Sequence, residues 1–110
     1  MELETRKEVL KLYMLYCDYV MNKRHDKWAS AEKVYFNVMR QTEKACYVNF
    51  HITDMREFDN ITGERIYPDK TFQDDTYIYF WCPKKIMGYE IDTIPYWFLK
   101  DKIQEFLAAN

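Results

Sequence analysis

The first segment of the chain, Glu4–Lys23, has the hydrophobic spacing of an amphipathic helix. It contains no Gly or Pro and carries acidic residues in its first turn, both of which favour a helix. Its apolar residues form two stripes at helical spacing, one of Leu3, Leu10, Met14, Cys17 and Met21 and one of Leu12, Tyr16 and Tyr19. An apolar arc this wide exceeds what one packed face needs. The helix is therefore expected either to be buried between two layers of its own domain or to contact a second copy of the chain or a partner.

After a polar connector at residues 23–27 the hydrophobic period changes to two, which predicts β-strands at residues 33–40, 45–52 and 76–82. The short polar segment 41–44 predicts an antiparallel hairpin between the first two strands. Pro83 is expected to end the third strand, because proline has no N–H for the ladder. The long connection 54–75 is interpreted as an excursion of the sheet with a short edge strand at 66–68, and residues 86–91 as another short strand.

The last segment predicts a second helix that begins near Pro95 and is capped by Asp92 or Thr93. Its core face is formed by Tyr96, Leu99, Ile103 and Phe106. The predicted fold is a single α+β domain, residues 1–110, with a small curled antiparallel sheet or partial barrel of three to five strands between an N-terminal and a C-terminal helix.

The alternation assigns the strand residues to two faces. The inner face is predicted core and consists of Val34, Phe36, Val38, Cys46, Val48, Phe50, Ile52, Ile78, Phe80 and Cys82. The outer face carries Tyr35, Asn37, Tyr47, Asn49, His51, Tyr77, Tyr79 and Trp81. Such side chains suit recognition of protein or of unpaired bases, and Lys84 and Lys85 follow them at the strand end. The alternative is that the first helix covers this face and makes a second core layer.

Composition argues for binding and against catalysis. Aromatic residues make up 18% of the chain, with ten Tyr, whereas only two Gly are present. Glycine-rich phosphate loops and dinucleotide fingerprints are absent from the sequence, so no cofactor and no enzymatic activity are expected. Cys17, Cys46 and Cys82 fall on apolar faces and lack metal-ligand spacing with the two His, so we expect reduced, buried thiols and no metal.

Charge is distributed unevenly along a chain of formal net charge -2. Residues 23–44 contain six Lys or Arg and three Asp or Glu, whereas residues 54–75 contain seven Asp or Glu and three Lys or Arg. The acidic segment, with Glu57, Asp59, Asp74 and Asp75, is a candidate imitation of nucleic-acid phosphates that could occupy a basic groove on a partner. The alternative is that both regions are solvated edges, with Asp74 and Asp75 as ordinary turn residues.

Three short segments carry a resemblance to a known group of proteins. They are Thr42-Glu43-Lys44-Ala45, Trp81-Cys82-Pro83-Lys84 and Ile94-Pro95-Tyr96-Trp97. In this order they resemble small phage and mobile-element proteins with a TEKA turn, a W-x-P-K segment and an IPxW segment, over residues 40–102. The chain departs from that pattern in a longer segment between the first two motifs and in Lys85, where serine is common. The resemblance implies a mobile-element origin and makes an inhibitor of host defence or regulation the expected class.

The sequence thus predicts a non-enzymatic protein-binding module whose partner is a host protein. The alternative function is a single-stranded nucleic-acid-binding protein that stacks bases on Tyr77, Tyr79 and Trp81. A homodimer through the first helix is a further possibility. No apolar run has the length of a membrane span or signal peptide, so a cytoplasmic protein without a membrane partner is expected.

Overall fold

A computed structural model of the chain describes residues 2–24, 36–56 and 74–110. Its elements, in chain order, are α1 (Leu3–Arg24), β1 (Phe36–Gln41), β2 (Ala45–Ile52), β3 (Thr76–Pro83) and α2 (Tyr96–Ala109). The α+β class and both flanking helices are confirmed, and the described sheet has three strands and does not close into a barrel. The expected edge strand at 66–68 and the beginning of the first strand at 33–35 lie outside the described residues.

The three strands form an antiparallel sheet in the order β1-β2-β3, with β2 in the centre. The predicted hairpin between β1 and β2 is confirmed. Its turn needs no glycine, because the Thr42 side chain stabilises it: Thr42 Oγ1 accepts a hydrogen bond from the Ala45 N–H at 3.0 Å. The Thr42 N–H in turn donates to the Ala45 carbonyl at 2.8 Å.

The register of β3 against β2 explains why Pro83 is tolerated. The Lys84 N–H donates to the Lys44 carbonyl at 2.8 Å, on the far side of the pair formed by Ala45 and Pro83. In an antiparallel ladder this makes Ala45 and Pro83 a pair that exchanges no hydrogen bonds, so the missing proline N–H faces away from β2. Every second pair from there is of the same kind: Tyr47 with Trp81, Asn49 with Tyr79, and His51 with Tyr77.

Both helices pack on the inner face of the sheet. The core joins Val9, Leu10 and Cys17 of α1 to Tyr96, Leu99 and Ile103 of α2, together with the inward residues of all three strands. Cys46, Val48 and Ile52 at the centre of the sheet are fully buried. The predicted inner face and the predicted core face of the last helix are confirmed for the described residues, with Val38 and Phe106 only partly buried. Val34, also predicted for the inner face, lies outside the described residues. The expectation that α1 covers the outer face is wrong, because its apolar arc is used against the inner face and α2.

The width of the α1 arc follows from this double contact. Tyr13, Met14 and Tyr16 pack against the core beside the fully buried residues, whereas Leu3 and Leu15 remain exposed. Asp18, a charged residue of α1, belongs to the helix interface: it accepts a hydrogen bond from the Tyr96 hydroxyl at 2.8 Å, and Lys100 Nζ donates to it at 3.0 Å. A dimer through α1 is therefore not needed to explain the arc, and it stays a prediction.

The predicted strand at residues 86–91 is wrong. The segment forms two single-turn 3₁₀ helices, Lys84–Ile86 and Tyr89–Ile91. Glu90 and Ile91 have φ values of 59° and 55°, which an extended strand cannot contain. Gly88 allows the turn, because a Cβ there would lie 1.4 Å from Thr93 Oγ1.

The predicted capping of the last helix is also wrong. Pro95 occupies the N-cap position of α2, and no side chain, including those of Asp92 and Thr93, caps the helix. The Pro95 carbonyl accepts from the Phe98 N–H at 3.0 Å and so starts the first turn. Within the described ranges, neither helix combines the length and the apolar character that crossing a bilayer requires.

Candidate functional site

The surface opposite the two helices, which we call the outer sheet face, is formed by alternate residues of all three strands. The register places them in rows across the sheet: Arg40, Tyr47 and Trp81 in the first, Asn37, Asn49 and Tyr79 in the second, and His51 and Tyr77 in the third. Five of the predicted site residues, Tyr47, His51, Tyr77, Tyr79 and Trp81, thus lie together on one surface. Tyr35, predicted to share it, lies outside the described residues.

The aromatic side chains of this face contact one another across β2 and β3. The Tyr47 ring centroid lies 5.2 Å from that of Trp81 and 6.3 Å from that of Tyr79. The His51 and Tyr77 rings are 5.4 Å apart. These contacts follow from the register, because pairs without hydrogen bonds bring their side chains closer, with Cα atoms about 4.5 Å apart.

The same side chains remain open to solvent. Tyr77, Tyr79 and Trp81 of β3 are 45%, 51% and 44% exposed. Tyr47 and His51, on the neighbouring strand β2, are half-buried. A group of large aromatic side chains left exposed side by side is uncommon on a monomer surface and marks interaction sites.

Arg40 also belongs to the outer sheet face, although the alternation of the sequence does not predict it there. Strict alternation from Phe36 and Val38 would direct Arg40 to the core. A β-bulge between Val38 and Arg40 inserts Met39 as an extra residue, so that Arg40 pairs with Tyr47. The signal in the sequence is a charged residue at a position that the period assigns to the inner face. The bulge thus adds a permanent positive charge to the row of Tyr47 and Trp81.

The two predicted lysines lie beyond this row, at the turn end of the sheet. Lys84 and Lys85 begin the 3₁₀ turn after β3, and Lys84 is bonded through its backbone to Lys44 of the β1–β2 turn. Together with Glu43, Ala45 and Pro83 these three lysines line one shallow depression. The turn end of the sheet is therefore basic.

The opposite end of the sheet carries the acidic residues, but their carboxylates are bonded within the chain. Asp75 Oδ1 accepts from the Asp54 N–H at 2.8 Å, and Asp75 Oδ2 lies 2.9 Å from His51 Nε2. Asp74 pairs with the Arg56 guanidinium. Asp74 and Asp75 are partly exposed, as the alternative of solvated residues expects, but their carboxylates also bond to groups at the end of β2. Glu57 and Asp59 lie outside the described residues.

Asp54, which nothing in the sequence distinguishes from the other acidic residues of segment 54–75, is the centre of this cluster and is 2% exposed. The Arg56 guanidinium donates to both of its oxygens, at 3.1 Å from Nε and 2.8 Å from an Nη. Backbone N–H groups of Arg56 and Asp74 donate to it as well, at 3.0 Å and 3.2 Å. These bonds hold together the two chain segments that leave β2 and enter β3.

The surroundings of Asp54 act on its pKa in opposite directions. Burial alone would raise the pKa, but the hydrogen bonds from the Arg56 side chain and from the two backbone N–H groups outweigh burial and hold the pKa of Asp54 below its ordinary value of 3.8. The hydrogen bond to Asp54 correspondingly raises the pKa of Arg56. Asp54 is therefore a structural carboxylate that stays ionised at neutral pH.

The cysteine side chains offer no nucleophile. All three are free and buried, and burial raises the pKa of Cys17 to about 12 and that of Cys82 to about 11. Thiols with such pKa values stay protonated at neutral pH, whereas nucleophilic attack needs the thiolate. Among residues 2–24, 36–56 and 74–110, no three His, Cys, Asp or Glu side chains are grouped so that they could hold a metal ion.

Comparison with known proteins does not assign the chain to a family. No protein-family description, no curated protein and no solved structure matches the chain. The class of the protein is therefore defined by its own features: a small α+β domain with one buried and one aromatic, solvent-facing side of its sheet.

The Asp54 cluster generates a test of pH-dependent stability. Because the pKa of Asp54 is lower in the folded chain than in the unfolded chain, its contribution is full above pH 3.8 and is lost as the pH falls through the folded-state value. Asp54→Asn removes this charge from a buried site and leaves Arg56 without its main partner. We expect it to lower the free energy of unfolding at pH 7 by about 3 kcal/mol.

The measurement is urea unfolding from pH 2 to pH 7, with Glu43→Gln, an exposed acid in the hairpin turn, as the matched control. The difference between Asp54→Asn and the unmodified protein should shrink toward the acid end of the range, whereas the control should track the unmodified protein. A constant difference across the range would show that the Asp54 charge is not what stabilises the cluster.

Proposed function

We propose that the chain is a non-enzymatic protein-binding module that engages its partner through the outer sheet face. The observation that carries this proposal is that Tyr77, Tyr79 and Trp81 stay about half exposed on a face that neither helix covers. Tyr, Trp and Arg supply most binding hot spots in protein interfaces, and Arg40 lies in the same row as Trp81. The Tyr79 and Trp81 rings already contact Tyr47, and the Tyr77 ring contacts His51, so little side-chain entropy is lost on binding.

The distribution of charge between the two ends of the sheet supports a protein partner. Arg40, Lys44, Lys84 and Lys85 lie at the turn end, whereas Asp54, Asp74 and Asp75 lie at the other end and outnumber Arg56. A polyanion would meet attraction at one end and repulsion at the other. A protein surface with both signs of charge can complement both ends, which sets the orientation of binding.

The resemblance to small mobile-element proteins suggests the kind of partner, namely a host protein of defence or regulation that the chain would inhibit by occupying its surface. Binding of the partner through an acidic segment that imitates phosphates has less support than binding through the outer sheet face. The carboxylates of Asp54 and Asp74 are bonded to Arg56, and Asp75 lies against His51, so each already has a partner within the chain, although Asp74 and Asp75 stay partly exposed. A larger acidic surface would have to come from Glu57, Asp59 and their neighbours.

Capture from a cell lysate tests the proposed surface with a control of matched chemistry. The Tyr79→Ala, Trp81→Ala double variant removes the two rings from the outer face. The Tyr89→Ala, Trp97→Ala double variant removes an exposed Tyr and an exposed Trp, 88% and 54% exposed, from elsewhere on the molecule. We expect the unmodified protein and the control variant to retain one discrete protein in stoichiometric amount.

The outer-face variant should lose that protein, with a dissociation constant raised at least about a hundredfold, since each hot-spot ring contributes about 2 kcal/mol or more. Quantitative mass spectrometry of the three captures is the readout. Equal capture by both double variants would contradict the proposal, as would the absence of any protein above background.

A second candidate function is binding of single-stranded nucleic acid, and the position of the basic residues favours it. Arg40 lies in the same row as Trp81, and Lys84 and Lys85 follow Trp81 at the turn end of the sheet, so cations flank the end of the aromatic surface where a base would stack on Trp81. Two further rings, Tyr79 and Tyr77, continue the platform along β3.

Filter binding of a labelled oligonucleotide separates this function from the first. If it is correct, retention should fall steeply between 50 and 200 mM salt, because released counterions drive such binding. Lys84→Ala with Tyr79→Ala should abolish retention, whereas Lys11→Ala, an exposed lysine on α1, should leave it unchanged. No retention at low salt would exclude nucleic-acid binding.

A further inference from the structure

Among the residues that the structure describes, no strand pairs with the outer edge of β3. Its pairs with β2 alternate, so the backbone N–H and C=O groups of Tyr77, Tyr79 and Trp81 face away from β2. Among the described residues, only the Tyr77 carbonyl has a partner on that side, the Arg6 guanidinium at 2.6 Å. Tyr79 and Trp81 make no backbone hydrogen bond there with any described residue.

The opposite edge of the sheet, formed by β1, has features that discourage the addition of another strand. Strand β1 is interrupted by the bulge at Met39, and it carries Arg40. Glu90, Ile91 and Asp92 lie beside its first half and share a surface depression with it. Bulges, charges and covering loops are the means by which sheet edges avoid further strands. Strand β3 pairs with β2 over eight residues without a bulge and is aromatic on its outer side, so it is the edge open to addition.

We infer that two copies of the chain associate edge to edge through β3, antiparallel, with the two Tyr79 residues facing each other across a two-fold axis. In this register Tyr79 pairs with Tyr79 of the second copy, and Tyr77 pairs with Trp81 of the second copy. Each of these pairs exchanges both of its backbone hydrogen bonds, which satisfies the open groups of the edge. The two three-stranded sheets become one.

The positions of proline and of the edge groups select this register. Only odd-numbered residues present their backbone groups at the edge, so the facing residues must both be odd. A shift by one pair toward the end of β3 would set Tyr77 against Pro83, which has no N–H to donate. A shift the other way would set Trp81 against Asp75, whose segment lies before β3. Centring on Tyr79 is the arrangement that uses all three open residues.

The charges at the two ends of β3 complement each other in the same arrangement. An antiparallel partner brings Lys84 and Lys85 of one copy alongside Asp74 and Asp75 of the other, at both ends of the interface. A parallel arrangement would instead set lysine beside lysine and aspartate beside aspartate. The edge is thus self-complementary in charge only when the copies run antiparallel.

The contact from Arg6 is compatible with this pairing. A carbonyl oxygen has two lone pairs, so the Tyr77 carbonyl can accept from Arg6 of its own chain and from Trp81 of the second copy. Arg6 is held in place independently of that bond, because its guanidinium lies 4.3 Å from the Phe106 ring centroid. The helices stay on the inner side, so the outer sheet faces of the two copies join into one larger surface.

Single cysteines placed along β3 test the register directly. Residues that face each other as a hydrogen-bonded pair have Cα atoms about 5.5 Å apart, within the range of a disulfide. Tyr79→Cys faces itself and should form a disulfide-linked dimer in oxidised glutathione. Tyr77→Cys and Trp81→Cys each lie roughly 14 Å from their own copies, so neither should link alone, but a mixture of the two should. The native cysteines are buried and provide no competing thiol.

Sedimentation of the unmodified protein over a range of concentrations accompanies the cross-linking, and dimer at the higher concentrations is expected. Circular dichroism checks that each variant is folded, which the exposure of all three side chains favours. A monomer at every concentration would overturn the inference, and so would equal cross-linking of Tyr77→Cys, Tyr79→Cys and Trp81→Cys. Because no other protein is present, failure here leaves the proposed binding of a partner to the outer face standing, and failure of capture leaves the dimer standing.

Discussion

Both helices of this chain pack on one face of a three-stranded sheet, and the remaining properties of the molecule follow from that one-sided burial. The inner face of the sheet and the two helices form the hydrophobic core. Five of its side chains are essentially inaccessible to solvent: Leu10, Phe50, Ile52, Leu99 and Ile103. Burial of each such side chain contributes about 1.5–3 kcal/mol. Because the core is complete without them, the aromatic side chains of the opposite face are not required to hold the fold.

The central strand β2 links the two sides of the sheet. Its residues alternate between fully buried and half-buried along its whole length. The same register that buries Cys46 and Val48 makes the outward pairs those without hydrogen bonds, which draws Tyr47 toward Trp81 and His51 toward Tyr77. It also turns the backbone groups of Tyr79 and Trp81 toward the open edge. The aromatic surface and the unpaired edge are thus two consequences of one ladder.

The elements that depend on local pattern could be predicted from the sequence. The period of two in β2 and β3, and the apolar spacing of α1 and α2, assign the core and the α+β class correctly, and they collect Tyr47, His51, Tyr77, Tyr79 and Trp81 on one face. The hydrophobic period of the sequence does not show which face of the sheet the first helix covers. That depends on packing between α1, α2 and the sheet, which brings together residues far apart in the chain.

The rest escaped prediction for specific physical reasons. The bulge at Met39 breaks the period and moves Arg40 to the outer face, and only its charge hints at this. Asp18 looks like a solvent-exposed residue on α1 until α2 brings Tyr96 and Lys100 to it. Asp54 and Arg56 look like loop residues, and their role appears only when β3 returns beside β2 and Asp74 completes the cluster.

The claim that the outer aromatic residues serve binding and not folding is tested most directly by the free energy of unfolding of Tyr79→Ala and Trp81→Ala, measured in urea beside Phe50→Ala. The outer-face variants should each lie within about 1 kcal/mol of the unmodified protein, because their side chains are half exposed. Phe50→Ala should cost about 3–5 kcal/mol, since it empties a fully buried site. If Tyr79→Ala and Trp81→Ala cost as much as Phe50→Ala, the outer face is part of the folded core and the account is contradicted.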